Sequence, residues 1–289
     1  MSWVHPVGGD DRTIHAVRWG RGWPERVFLH GGGQNARVWD AVVQSSPHAA
    51  VAVDLPGHGA SSWRDDHGYF PWQLAGDLAS WFDALTAAGR PRPVTLIGAS
   101  LGGLAAAELA ARRNDRVGAL VLIDITPGVS GRGARAATQS LRAERVFTSL
   151  EEAVGHLRRL TPRRATHLLR QDAEHAFVRR DDGLWYPRDD PDRPWRDAVV
   201  DFSRCWDALR AVHAPVTIVH GEASSVLGPA DLTEARRRLA GLAVVTVASA
   251  GHNVHLDRPE EFAGLLEVLA NPPPDGMPTR WPTSPQPTI

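Results

Sequence analysis

The chain contains no lysine: all 32 of its basic side chains are arginine. Arginine stays protonated in any protein environment, so a Schiff-base lysine is excluded, and with it pyridoxal phosphate chemistry and lysine-dependent aldolases. A phosphate-binding loop that needs a lysine is excluded for the same reason. Cysteine is nearly absent as well. With Cys205 alone, the chain forms no internal disulfide, no cysteine-rich zinc site and no cysteine-held iron-sulfur cluster. No uninterrupted apolar run approaches the ~18 residues of a membrane span. The N-terminal residues show no basic stretch followed by an apolar one, so the expectation is a soluble, cytoplasmic protein without signal peptide or membrane partner. A basic excess is missing too. The 32 basic residues face 33 acidic ones, a net charge of -1, which argues against nucleic acid and for a small-molecule substrate. Nothing in the pattern speaks to oligomeric state.

What is present is an ordinary globular composition, 43% hydrophobic and 22% charged over 289 residues, enough for one large α/β domain or two units. Short β-branched runs bounded by Gly or Pro predict strands at 13–19, 26–30, 49–54, 94–98, 118–125, 215–220 and 243–248. Between them, Leu74, Leu78, Trp81, Phe82 and Leu85 share one helix face within 71–88. Further helices are expected at 101–112, 229–239 and 259–269. This alternation calls for a doubly wound, mostly parallel sheet. Residues 128–205 break the rhythm with arginine-rich helical stretches, 150–160 and 164–177, and a charged, Pro-punctuated loop. They are expected to be a helical cap inserted between the two halves of the core, residues 1–127 and 206–270. The tail, 271–289, holds seven prolines and is expected to be disordered or to lie on the surface.

Four segments carry chemistry. Gly98-Ala99-Ser100-Leu101-Gly102 follows an apolar strand and opens an alanine-rich helix. A serine on such a sharp turn needs small neighbours, because the strained backbone has no room for a Cβ there, and its hydroxyl then stands clear of the sheet. The helix N-terminus places backbone N–H groups beside it. His30-Gly31-Gly32-Gly33 follows an earlier strand, and Gly32 is the best candidate for a second N–H. Asp54-Leu55-Pro56-Gly57-His58-Gly59-Ala60-Ser61 reads as a tight turn, and Gly251-His252 puts an imidazole on a loop at the same sheet edge.

In this order, these segments resemble those of the α/β-hydrolase fold, in its small, cap-bearing serine esterase-like form. The resemblance covers nearly everything except the cap and the tail. It implies Ser100 as nucleophile, His252 as general base, and the N–H groups of Leu101 and Gly32 as an oxyanion hole, with no metal, nucleotide or redox cofactor. Serine at the elbow also speaks against haloalkane dehalogenases and epoxide hydrolases of this fold, which carry aspartate there. The third residue departs from the commonest pattern. Where most of the family supply an aspartate after the strand 215–220, this chain reads GEASSVLGP, with Ser224 and Ser225 in its place. Because an imidazolium still needs a carboxylate, Asp124, after the strand VLI, is the preferred acid, with Glu222 the alternative and Asp257 third. A strand-end aspartate capping the turn ITPG is the competing role for Asp124.

His30 and His58 sit in turns where imidazoles commonly bond backbone. His255 follows His252 too closely to ignore, yet lacks the carboxylate cluster of a metal site. Arg158, Arg159, Arg163, Arg164 and Arg170 read as solvated faces balanced by Asp172, Glu174, Asp181 and Asp182. Trp39 reads as core. The implied activity is hydrolysis of a carboxylic ester or lactone of a small to medium apolar substrate. Carbon-carbon bond hydrolysis and perhydrolysis use the same residues, and a noncatalytic ligand receptor is the alternative from another class.

Overall fold

The computed structural model of the protein describes residues 2–7, 11–87, 92–129, 131–142, 145–193, 200–270 and 280–281. Its strands are β1 (Ser2–Pro6), β2 (Thr13–Trp19), β3 (Arg26–Leu29), β4 (Ala50–Val53), β5 (Val94–Ala99), β6 (Val117–Ile123), β7 (Phe177–Arg179), β8 (Trp185–Pro187), β9 (Val216–Gly221), β10 (Ala243–Val247) and β11 (Arg280–Trp281). The helices are α1 (Asp40–Gln44), α2 (Pro71–Ala87), α3 (Leu101–Arg112), α4 (Gly131–Arg142), α5 (Leu150–Leu160), α6 (Thr166–Ala176), α7 (Cys205–Arg210), α8 (Pro229–Arg238), α9 (Val254–Asp257) and α10 (Pro259–Ala270). A 3₁₀ turn, Ala36–Trp39, leads into α1.

One sheet runs in the order β1-β2-β4-β3-β5-β6-β9-β10-β11. The β1–β2 and β2–β4 pairs are antiparallel and the others parallel. This is the α/β-hydrolase fold, with the expected mostly parallel sheet. Period-two alternation explains how its strands divide. Leu96, Leu120 and Leu122 face the layer of α2 and α3 with Leu74, Leu78, Trp81 and Leu104. Their neighbours Ile97, Val121 and Ile123 face the opposite layer with Trp39, Val42, Phe262 and Leu265. Each large side chain buried this way stabilises the fold by roughly 1.5–3 kcal/mol relative to exposure.

The chain goes from β3 to β4 on one side and then to β5 on the other side of β3. Loops leaving β3 and β5 therefore diverge, and a crevice opens at the carboxyl ends of these strands. Between β6 and α7 the chain leaves the sheet and forms α4, α5, α6 and the β7–β8 hairpin. Helix α5 starts at Ser149, whose hydroxyl accepts the Glu152 N–H at 3.2 Å, and carries Glu151 and Glu152 in its first turn and Arg158 and Arg159 in its last.

Several local expectations change. The strand expected over 118–125 ends at Ile123, because Asp124 adopts φ +50°, which no strand residue can hold. The β7–β8 hairpin occupies part of a stretch expected as loop, and β1 adds an unforeseen edge strand. Arg164 is buried rather than solvated; its guanidinium pairs with both oxygens of Asp172 at 2.9 and 3.0 Å and donates to the Leu256 carbonyl. Of the tail expected to be disordered or surface-lying, residues 280–281 lie beside β10 as β11. The rest of it, 271–279 and 282–289, falls outside the described residues.

Candidate active site

Ser100 stands between β5 and α3 with φ +49°, a left-handed conformation that costs a non-glycine residue about 1–3 kcal/mol. Its neighbours are small for a steric reason. A Cβ at Gly98 would overlap the Gly102 carbonyl oxygen, and one at Gly102 would overlap the carbonyl oxygen of His30. The turn is held by the Ser100 N–H bond to the Ile123 carbonyl at 3.1 Å and by Gly103 and Leu104 donating to the Ser100 carbonyl. Ser100 itself is half-buried and lines a cavity of about 880 Å³ together with His252, Gly32 and Leu101.

Among the described residues, the backbone N–H groups of Gly32 and Leu101 are not spent on backbone partners. The neighbouring Gly31 N–H is spent, on Gln34 Oε1 at 2.9 Å. Gln34 Nε2 in turn donates to Asn253 Oδ1 at 3.1 Å, tying the glycine loop to the loop that carries His252. Nothing in the pattern of motifs marked Gln34.

His252 Nδ1 lies 2.8 Å from Asp124 Oδ2. A carboxylate only accepts, so Nδ1 carries a proton, and it is Nε2 that is left to face away from Asp124. Asp124 is fully buried, and its Oδ1 accepts the Gly221 N–H at 3.0 Å. The Ser224 hydroxyl reaches Oδ2. The other two carboxylates are engaged elsewhere: Glu222 accepts the Ser249 N–H at 3.1 Å and pairs with Arg280, and Asp257 accepts the Gly251 N–H at 2.7 Å. Burial pushes the Asp257 carboxyl above its ordinary value, against that N–H and the charge of Arg163.

The remaining histidines have other partners. His30 Nδ1 donates to the Gly31 carbonyl and its Nε2 accepts the Leu55 N–H at 2.9 Å, and burial lowers its affinity for a proton. His58 Nδ1 lies 3.1 Å from the Pro56 carbonyl; burial, with His30 and Arg193 nearby, pushes it down to about 3. His255 is stacked on Trp39 with ring centroids 4.4 Å apart, and burial holds it well below the ordinary imidazole value. Trp39 is core, as expected. Cys205 is buried and its thiol is pushed up to about 12 by burial, so it stays protonated.

Leu104 of α3 and Ile125, just after β6, line the cavity, as do Val129, Phe147, Leu157 and Phe177 from further along the segment between β6 and α7. His156 is buried in the same wall, where burial and the charges of Arg145 and Arg159 lower its affinity for a proton.

Residues 27–265 match the profile of the alpha/beta hydrolase family. The chain belongs to that family. Among its relatives is esterase Rv0045c of Mycobacterium tuberculosis, 38% identical over 264 residues that cover 89% of this chain and 85% of the esterase. A solved structure of that esterase superposes with a TM-score of 0.78 at 35% identity, covering 93% of this chain and 92% of the other. The 2-(acetamidomethylene)succinate hydrolase of Mesorhizobium japonicum is 30% identical, over 86% of this chain and 88% of its own. Within the family, the shared region spans both halves of the sheet and the segment between them.

Proposed function

We propose that the protein is a serine hydrolase that cleaves a carboxylic ester or lactone of a small to medium, mostly apolar substrate through an acyl-enzyme. The observation that carries this reading is the 2.8 Å contact between His252 Nδ1 and Asp124, on a histidine that shares one cavity with Ser100. Similarity to an esterase supports the ester as the bond attacked.

In the proposed reaction, Ser100 Oγ attacks the carbonyl carbon while His252 Nε2 takes the hydroxyl proton. Asp124 accepts from Nδ1–H and stabilises the imidazolium. The developing oxyanion is met by the N–H groups of Gly32 and Leu101, which no backbone partner among the described residues takes. The imidazolium then gives its proton to the leaving alcohol. Water, deprotonated by the same nitrogen, attacks the acyl-enzyme and releases the acid, restoring Ser100. Residues 128–205 act as the cap, and their apolar side chains wall the acyl pocket and keep bulk water out.

The first assay is turnover of p-nitrophenyl acetate and butyrate, with fluorophosphonate labelling of Ser100. Turnover and labelling by the wild type, both lost in Ser100→Ala, are the expected results. Labelling without ester turnover points to the carbon-carbon route on the same residues. An unlabelled Ser100 overturns the reading in favour of a noncatalytic binding protein.

A further inference from the structure

We propose that Ser224 is a positioning residue for the base: by donating its hydroxyl proton to Asp124 it fixes the carboxylate that orients His252. The proposal rests on the reading of Ser100, His252 and Asp124 as the reacting residues. Its argument begins with what a hydroxyl has to offer, one proton and two lone pairs. Ser224 Oγ accepts the N–H of Val226 at 3.0 Å and that of Leu227 at 3.2 Å. With both acceptor sites occupied, the remaining interaction with Asp124 Oδ2 must use the proton. The direction of this bond is therefore set by the turn itself, and Asp124 is the acceptor.

Why Asp124 needs such a partner follows from its own torsions. The χ2 rotation of an aspartate is broad and soft, so the plane of the carboxylate is not held by its own chain. Here each oxygen meets a separate donor, Gly221 N–H on Oδ1 and Ser224 Oγ–H on Oδ2. Both donors come from the end of β9 and the turn that follows, where the Ser224 N–H closes on the Gly221 carbonyl at 2.9 Å. The backbone of Asp124 is anchored to the same strand, through its N–H to the Val219 carbonyl at 2.8 Å. The carboxylate is thus gripped at both oxygens from β9 and its turn, and the remaining acceptor capacity of Oδ2 serves His252 Nδ1. The serine that replaces the expected acid in this turn is still part of the acid's machinery, at one remove. Misplacing a reacting group by about 1 Å is enough to cost on the order of 100-fold.

The experiment compares the full-length wild type with Ser224→Ala, Ser224→Thr, Asp124→Asn and the double variant Asp124→Asn/Ser224→Ala. Two quantities are read: the rate of fluorophosphonate labelling at Ser100, which requires the base but no natural substrate, and kcat on p-nitrophenyl butyrate. A hydrogen bond to a charged group predicts a loss of about 10- to 100-fold in both for Ser224→Ala. Ser224→Thr, which keeps the hydroxyl, is expected to recover most of that loss. In the Asp124→Asn background the alanine change is expected to cost nothing further, because its only route to the reaction has been removed. An alanine variant that labels and turns over at the wild-type rate overturns the proposal. So does the same fold-loss repeated in the Asp124→Asn background, which assigns Ser224 to folding of the turn alone. If the wild type is not labelled at all, this proposal falls together with the reading it rests on, and that result is distinct from the other two.

Discussion

On the sheet, large side chains are held by apolar contact: Trp39, Trp81 and Phe262 are fully buried between strands and helices. Among the described residues from α4 to Arg193 the buried apolar cluster is small, Leu150, Ala153, Ala173 and Phe177, and much of the hold falls to charge. Arg145 and Arg193 converge on Asp189, Arg164 grips Asp172, and the hydroxyl of Tyr69, from the core, reaches Asp190. Burial pushes the Asp189 carboxyl up, but the two guanidinium charges outweigh it and hold it below its ordinary value. The difference is one of how each region is held: Ser100, Asp124 and His252 stand on turns anchored to the close-packed sheet, whereas the cavity wall supplied by Phe147, Leu157 and Phe177 is built on a segment whose hold is largely polar and local.

The largest effect should come from the sheet side. Asp124→Asn is expected to lower kcat by about 10,000-fold with the fold unchanged, since the imidazole loses the partner that fixes its tautomer. Near-normal kcat in that variant breaks the assignment of chemistry to the core turn after β6. Next comes the insertion. Asp189→Ala leaves Arg145 and Arg193 buried without their counter-charge, a change that costs about 3–5 kcal/mol for a broken buried pair. We expect limited proteolysis to cut within 145–193 well below the temperature at which the sheet unfolds. A single shared transition at the wild-type temperature would show the two regions to be one unit.

The joint between the regions should respond to acid. His58, in the core turn after β4, lies 3.5 Å from Arg193 of the insertion, and the Asp190 N–H donates to the Gly57 carbonyl at 2.8 Å. Its proton affinity in the folded protein is depressed, from the ordinary value of 6.5 to about 3. Between those values the unfolded chain binds a proton that the folded one does not, so stability from this group is complete above pH 6.5 and falls as the pH drops toward 3. The expected slope is about 1.4 kcal/mol per pH unit. Melting temperatures measured from pH 7 to pH 5 should show it, and His58→Asn, which keeps a donor for Pro56, should make the total slope shallower by this group's share, leaving the part due to His30, His156 and His255. The smallest effect is expected at Glu222→Gln. Its carboxylate meets only the Ser249 N–H and Arg280 among the described residues, so kcat should stay within about 2-fold and stability within roughly 0.5 kcal/mol.

Much of the fold could be read from the chain because its signals are local. The alternation in Leu96-Ile97 and in Leu120-Val121-Leu122-Ile123 names strands buried on both faces, and Gly98 and Gly102 around Ser100 mark a turn too tight for a Cβ. The His252 loop follows from its place after the last long strand of the pattern. Less legible were the parts whose partners lie far away in sequence. Asp124 and Glu222 both follow strands of the parallel sheet; the resemblance favoured Asp124 over Glu222, but only the fold shows that it is the Asp124 carboxylate that meets the imidazole. Gln34, which joins Gly31 to Asn253 across 219 positions, carries no sequence signal at all. Arg164 resembled the other arginines of the insertion until its pairing with Asp172 and Leu256 placed it inside. Strand β1 was missed because Ser2–Pro6 is an edge strand of five residues whose pairing is made by β2 and not by its own pattern.

By itself, then, the sequence determined the alternating sheet and helices, the strained turn at Ser100, the glycine loop and the histidine loop, since each is set by residues within a few positions of one another. Which carboxylate meets His252, and that Ser224 joins it, was decided only by the tertiary structure. Parallel pairing of β6 with β9 brings residues 124 and 224 together across 100 positions of chain, and no local preference encodes a contact made through a sheet.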